Sequence, residues 1–247
     1  MVLQVWADSL QSLAFSQSDI LTPSANCPQR KAAKKNMVNE AHATPHNPLV
    51  FIHGSGESSQ IWQSQVVHFG TSCAFPIDLP GHGERADALP PEVSVLDYAR
   101  VAHEIIFQEL HLKAPIIAGH SLGGAIALTM ALEYASELSG LILIGTGARL
   151  RVLPSILEEA QRASVVTYRD WAACNTFDIM NKLHEIRLPT LIICGADDRS
   201  TPVKYSQYMH DRIQGSTLCI IPNAGHNVAQ EQPERVNQAI DEWLSRQ

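Results

Sequence analysis

From residue 49 onward the chain alternates short unbroken apolar runs with longer stretches in which apolar residues recur every three or four positions. The runs at 49–53, 73–78, 115–119, 140–144, 190–195 and 217–221 predict strands. Most are continuous rather than alternating, the mark of strands buried on both faces of a parallel sheet. The stretches at 60–69, 95–110, 122–134, 202–213 and 233–244 predict helices. In the second of these, Leu96, Ala99, Ala102, Ile106 and Leu110 follow helical spacing and predict one buried face. Pro202 and Pro233 stand where a first helical turn begins, a position that tolerates the missing N–H. Repeated strand–helix units predict an α/β fold with a doubly wound, mostly parallel sheet.

Two regions depart from this rhythm. Residues 1–48 mix polar and apolar positions around a basic cluster, Arg30-Lys31 and Lys34-Lys35, and yield no convincing strand pair. They are expected to be a divergent edge hairpin or a poorly ordered N-terminal segment, with weak order over much of 1–36. The domain proper is expected over 49–247. Within it, 148–188 is too long for a simple crossover. Its patterns at 154–162 and 168–186 predict two helices, a short helical cap inserted above the sheet.

Composition narrows the function. The 247 residues carry a net charge of −7, which argues against a nucleic-acid footprint, since that requires a basic face. No apolar run approaches the roughly 18 residues of a membrane span. The five cysteines are scattered without Cys-x-x-Cys spacing and read as small buried hydrophobes in a reducing compartment. No basic segment followed by an apolar stretch opens the chain, so a cytoplasmic location is expected. Neither a cofactor nor a metal is expected. No histidine, cysteine and acid cluster has ligand spacing, and the glycines at 54, 56, 81 and 83 never form Gly-x-x-x-x-Gly-Lys.

The chemistry is concentrated at Gly119-His120-Ser121-Leu122-Gly123. An apolar strand precedes this Gly-x-Ser-x-Gly and a helix follows it, the context of a nucleophile elbow. The glycines allow the tight turn and the close start of the helix, and the serine sits near the positive end of the helix dipole. Serine itself is a weak nucleophile and needs a base within hydrogen-bond reach, oriented by a carboxylate. Two later loops offer both. Ala196-Asp197-Asp198 follows the run at 190–195, and Pro222-Asn223-Ala224-Gly225-His226 follows the run at 217–221.

With His53-Gly54-Ser55-Gly56, Asp78-Leu79-Pro80-Gly81-His82-Gly83, Gly119-His120-Ser121-Leu122-Gly123-Gly124, Gly195-Ala196-Asp197-Asp198 and Gly225-His226, the chain from about residue 49 resembles the α/β-hydrolase superfamily, in particular its cap-bearing esterase and carbon–carbon hydrolase branch. The resemblance implies Ser121 as nucleophile, His226 as base and then acid, and Asp198 as the orienting carboxylate, with Asp197 as the fallback. It implies an oxyanion hole from the backbone N–H groups of Ser55 and Leu122. Trp62 and Trp171 are candidates to line a substrate pocket, with a core role as the alternative for each.

The expected function is hydrolysis of carboxylic esters or related acyl compounds, with a small-molecule acyl substrate as the expected partner and neither nucleic acid nor a membrane span expected. Carbon–carbon hydrolysis of diketone-type substrates is the second reading and would need a cation for the substrate carboxylate, for which Arg149, Arg151, Arg162 and Arg169 are available. A slow-turnover binding or signalling protein on the same frame is the third. The short insertion predicts an open, permissive pocket. His53 and His82 are expected to shape loops, and His120 to pack beneath the elbow.

Overall fold

The computed structural model describes residues 47–247, so the expectations for the N-terminal segment up to residue 46 lie outside the described residues. Six strands form one sheet: β1 (Leu49–Ile52), β2 (Ala74–Ile77), β3 (Ile116–His120), β4 (Gly140–Ile144), β5 (Thr190–Gly195) and β6 (Thr217–Ile221). Their order is β2–β1–β3–β4–β5–β6, and every pairing is parallel. The chain leaves β1 toward one side for β2 and returns to its other side for β3. The loops after β1 and β3 therefore open where the winding reverses, the place at which open α/β sheets leave a crevice for a ligand.

The pleat divides the apolar runs between two cores. Leu49, Phe51, Ile116, Ala118, Ile142 and Ile144 face one side, with Trp62, Val236, Ile240 and Trp243 laid over them. This layer belongs to α1 (Gln63–Phe69) with the turn before it, and to α8 (Pro233–Leu244). Val50, Ile52, Ile117, Leu141 and Leu143 face the other side, beneath α2 (Val95–Glu104), α3 (Leu122–Glu133) and α6 (Val203–His210). A short helix missed from sequence, α7 (Val228–Glu231), follows β6. Among the described residues no helix is long and apolar enough to cross a membrane.

Two expectations shift. Ser94 and Asp97 close a reciprocal capping box on α2, and the buried stripe is Val95, Tyr98, Ala99 and Ala102, with Leu96 only half-buried. Past Glu104 the helix widens into a π turn, Ile105–Glu109, which carries Leu110 out to solvent instead of continuing the predicted face. In the β4–β5 insertion, α4 (Pro154–Ala163) falls as expected, but α5 is Val165–Thr176 rather than 168–186. The Ser164 hydroxyl accepts from the Thr167 N–H at 3.0 Å and starts α5 early. Beyond α5 an isolated antiparallel bridge joins Arg149 to Asp178, and a separate 3₁₀ segment, Met180–Glu185, leads to β5.

Candidate active site

Ser121 occupies the turn between β3 and α3 at φ 51° and ψ −112°, a left-handed backbone that a non-glycine residue adopts at a cost of about 1–3 kcal/mol. The surroundings enforce it. The Ser121 N–H donates to the Ile144 carbonyl at 3.0 Å, and the Thr146 hydroxyl donates to the Ser121 carbonyl at 2.8 Å. The flanking glycines are steric requirements: a Cβ on Gly119 would stand 2.1 Å from the Gly123 carbonyl oxygen, and one on Gly123 would stand 2.2 Å from that of Ile52.

Three loops at the carboxyl end of the sheet bring their side chains together. His226 Nε2 lies 3.2 Å from Ser121 Oγ, and His226 Nδ1 lies 2.9 Å from Asp198 Oδ2. Asp198 is buried and accepts from the amides of Ser200 (2.8 Å) and Thr201 (2.9 Å) and from the Thr201 hydroxyl (2.8 Å). Burial pushes the Asp198 carboxyl up, but the hydrogen bond and charge of His226 and the Thr201 donors outweigh it and hold Asp198 below the usual carboxylate range. Asp197 is exposed, its amide bonded to the Ala224 carbonyl at 2.9 Å. Of the two adjacent acids, Asp198 is the one in contact with His226. Glu231 grips the base loop on both flanks, accepting from Gly225 N–H at 2.5 Å and Asn227 N–H at 3.1 Å.

Both expected oxyanion donors are left open. The amides of Ser55 and Leu122 have no partner among the described residues. The amides either side of Ser55 are taken: Gly54 N–H donates to Glu57 Oε2 at 2.7 Å, and Gly56 N–H donates to Asp170 Oδ2 at 3.1 Å. The histidines nearby do more than fill space. His120 is buried, with Nδ1 2.9 Å from Glu57 Oε2 and Nε2 3.0 Å from the His226 carbonyl oxygen. Burial pulls the His120 pKa down, but the Glu57 charge and hydrogen bond outweigh it and leave it raised. Burial likewise pushes Glu57 up, and His120 with the Gly54 amide brings it down to about 2. His82 Nε2 lies 2.9 Å from Asp170 Oδ2 and its Nδ1 3.2 Å from the Pro80 carbonyl oxygen; here too the Asp170 contact outweighs burial and the pKa is raised. His53 is different. Its Nε2 accepts from Leu79 N–H at 3.1 Å while Nδ1 lies 2.8 Å from the Gly54 carbonyl, so the ring is neutral, and burial lowers its pKa.

The remaining candidates separate. Trp62 is fully buried with its ring 5.0 Å from that of Phe51, a core position with no surface open to a ligand. Trp171 is half-buried on α5. None of the arginines suggested for a substrate carboxylate stands unengaged. Arg169 is fully buried and donates to both oxygens of Asp87, to the Tyr98 hydroxyl and to the carbonyls of Pro80, Leu89 and Pro90. Arg149 and Arg151 share Asp178, and Arg162 lies 3.9 Å from Glu158. Cys174 Sγ sits 3.6 Å from Ser55 Oγ, but burial pushes the thiol up to about 12, so it is no nucleophile. A groove of about 400 Å³ is lined, among the described residues, by Ala148, Arg149, Met180, Lys204, Tyr205 and Tyr208, none of them in the serine cluster.

Sequence reasoning missed Glu57, Thr201, Glu231, Tyr98 and Asp170. Glu57 meets His120, and Asp170 meets Tyr98, His82 and Gly56, through the fold, so spacing carried no signal for them, whereas Thr201 and Glu231 bond within their own loops, to Asp198 and to Gly225 and Asn227.

A parallel sheet with a serine at a strained strand–helix turn defines a hydrolase of the α/β type. The chain belongs to the alpha/beta hydrolase family, whose model matches residues 49–239. It is 30% identical to a thermophilic esterase of known structure, with a TM-score of 0.73 over 82% of this chain and 91% of that one. A thermophilic esterase from Thermogutta terrifontis, in its malate-bound structure, is 25% identical, with a TM-score of 0.71 over 81% and 90% of the two chains. Over 239 residues, 80% of this chain and 90% of the relative, it is 25% identical to (E)-2-((N-methylformamido)methylene)succinate hydrolase of Acinetobacter baylyi.

Proposed function

We propose that the protein hydrolyses carboxylic esters through an acyl-enzyme on Ser121. The observation that carries this reading is the unbroken chain from Ser121 Oγ to His226 Nε2 (3.2 Å) and from His226 Nδ1 to Asp198 Oδ2 (2.9 Å), standing on the strained elbow. Ser121 Oγ attacks the ester carbonyl carbon while its proton passes to His226 Nε2. The carbonyl oxygen becomes an oxyanion facing the amides of Ser55 and Leu122. As the tetrahedral centre collapses, the carbon–oxygen bond to the alcohol breaks and His226 returns the proton to that leaving oxygen. Water then attacks the acyl carbon, gives its proton to His226, and the acid departs as Ser121 recovers its hydrogen. Two amide donors in a site shielded from water lower such a barrier by about 3 kcal/mol or more. The insertion at 148–188 is the cap in this reading, and its α5 reaches the oxyanion loop through Asp170 and Cys174.

Esterase chemistry is favoured over carbon–carbon hydrolysis because Arg169 is buried and held by Asp87, Arg149 and Arg151 share Asp178, and Arg162 lies on an exposed helix face beside Glu158. The test is hydrolysis of p-nitrophenyl esters from acetate to decanoate, wild type beside Ser121→Ala. Repeated turnover by wild type, with kcat falling by about ten-thousand-fold or more in the variant, is the expected result. Equal inactivity of both on every ester defeats the proposal. An open pocket predicts a gradual chain-length profile, whereas a sharp cutoff would mark a closed one.

A further inference from the structure

Ser55 stands between two amides that are each held by a carboxylate, Asp170 fully buried and Glu57 partly so, and each carboxylate also holds a histidine. Glu57 Oε2 takes Gly54 N–H (2.7 Å) and His120 Nδ1 (2.9 Å); Asp170 Oδ2 takes Gly56 N–H (3.1 Å) and His82 Nε2 (2.9 Å). The two carboxylates come from different places, one from the loop itself and one from α5. The two histidines are alike in a further respect, because the second nitrogen of each ring also faces an acceptor. For His120 it is the His226 carbonyl at 3.0 Å, and for His82 the Pro80 carbonyl at 3.2 Å. An imidazole with an acceptor at both nitrogens satisfies both only when both carry hydrogen, that is, as imidazolium. His53, 4.9 Å from His82 ring to ring, is the internal contrast, since Leu79 N–H obliges its Nε2 to accept.

The charges close locally. Asp170 also takes the Tyr98 hydroxyl, and that hydroxyl accepts from Arg169 Nε at 3.2 Å, whose guanidinium pairs with Asp87. Around His120 the facing groups are Glu57 from the β1 loop, His226 from the β6 loop and Asp198 from the β5 loop. A buried cation paired and hydrogen-bonded in this way is tolerated, while one stripped of its partner is costly.

We propose that Glu57–His120 and Asp170–His82 are two ion-pair clamps, each with its histidine buried, that fix the amides on either side of Ser55 and so position the Ser55 N–H as an oxyanion donor. The His120 clamp also ties that loop to the main chain of His226. None of the four residues touches the reacting atoms; they are positioning residues, and only the kinetic part of this inference rests on the esterase reading.

The test uses the full chain labelled with ¹⁵N-histidine. At pH 7, wild type shows both ring nitrogens of His82 and His120 protonated and only one of His53. Glu57→Gln removes the second proton from His120 alone, and Asp170→Asn removes it from His82 alone. A neutral His82 or His120 in wild type at pH 7 overturns the proposal. In parallel, kcat for p-nitrophenyl acetate is measured per serine titrated with an organophosphonate. Glu57→Gln and Asp170→Asn each lower kcat by about tenfold or more while KM stays within about threefold, because oxyanion contacts strengthen in the transition state. Values of kcat within twofold of wild type in both variants overturn the positioning role. Should Asp170→Asn fail to unfold cooperatively, His82→Gln replaces it, keeping a donor toward Asp170 without the ring charge. Should wild type hydrolyse no ester, the esterase reading falls, and the ring protonation by itself decides for or against the clamps.

Discussion

The pair Asp197-Asp198 shows what a single position means at this site. Both acids lie in the loop after β5, yet only Asp198 turns inward, because its carboxylate accepts from the amides of Ser200 and Thr201 while Asp197 is exposed. Asp198→Asn would preserve shape but present the wrong hydrogen-bond partner to His226 Nδ1, favouring the unproductive tautomer; kcat is expected to fall by about ten-thousand-fold. Asp197→Asn is expected to leave kcat within about threefold. Steady-state kinetics on one ester with both variants checks the pair, and the reverse ranking would move the acid to Asp197. Ser121, Asp198 and His226 were legible in the sequence because each stands in a short motif directly after an apolar run. Glu57 and Asp170 were not, because an acid in a polar loop or on a helix carries no sign of what it will meet 63 or 114 positions away, as Glu57 meets His120 and Asp170 meets Gly56.

Among the elements, legibility followed the polarity of what each one buries. The six strands were readable to within a residue at their ends, the four inner ones because burial on both faces demands unbroken apolar runs, and the edge strands β2 and β6 because their runs stay apolar although they are only partly buried. The second helix of the insertion was misplaced because its buried positions are Arg169, Asp170, Ala173 and Cys174, half of them charged, so no apolar stripe marks it. The elbow is the element on which activity turns, and its glycines allow a sharp comparison. Gly123→Ala forces a Cβ to 2.2 Å from the backbone oxygen of Ile52, which can move only with the sheet. It is expected to destabilise the protein by about 3 kcal/mol or more and abolish turnover. Gly56→Ala has open space around it and only the strain of φ +70°, so about 1–2 kcal/mol is expected. Thermal unfolding of the two variants checks the ranking, and equal losses would show that the helix start at the elbow can shift.

At the scale of the whole molecule, the buried charges tie stability to pH, and the Glu57–His120 pair makes that link measurable. Glu57 has its pKa lowered from 4.5 to about 2, so its contribution is fully present above pH 4.5 and disappears as pH falls through 2. His120 has its pKa raised from 6.5, so its contribution is fully present below pH 6.5 and disappears as pH rises through the raised value. Asp198, His53 and His82 also titrate differently in the folded state, which makes the absolute profile of wild type a composite of several groups. In the difference between wild type and Glu57→Gln the His82 contribution cancels, because neither Glu57 nor His120 perturbs it, and the pair dominates what is left, since His53 and Asp198 feel the Glu57 and His120 charges only as smaller contributions. The gap in unfolding free energy between wild type and Glu57→Gln is therefore expected to be widest between pH 4.5 and 6.5 and to narrow on both sides. On the acid side it narrows because wild type protonates Glu57, and on the alkaline side because it loses the His120 proton. Urea titrations of both proteins at several pH values give the gap directly. A gap independent of pH would mean that Glu57 contributes by shape and hydrogen bonding alone, with no charge on its partner. A gap that narrows only on the acid side would place a charge on Glu57 but not on the histidine it holds.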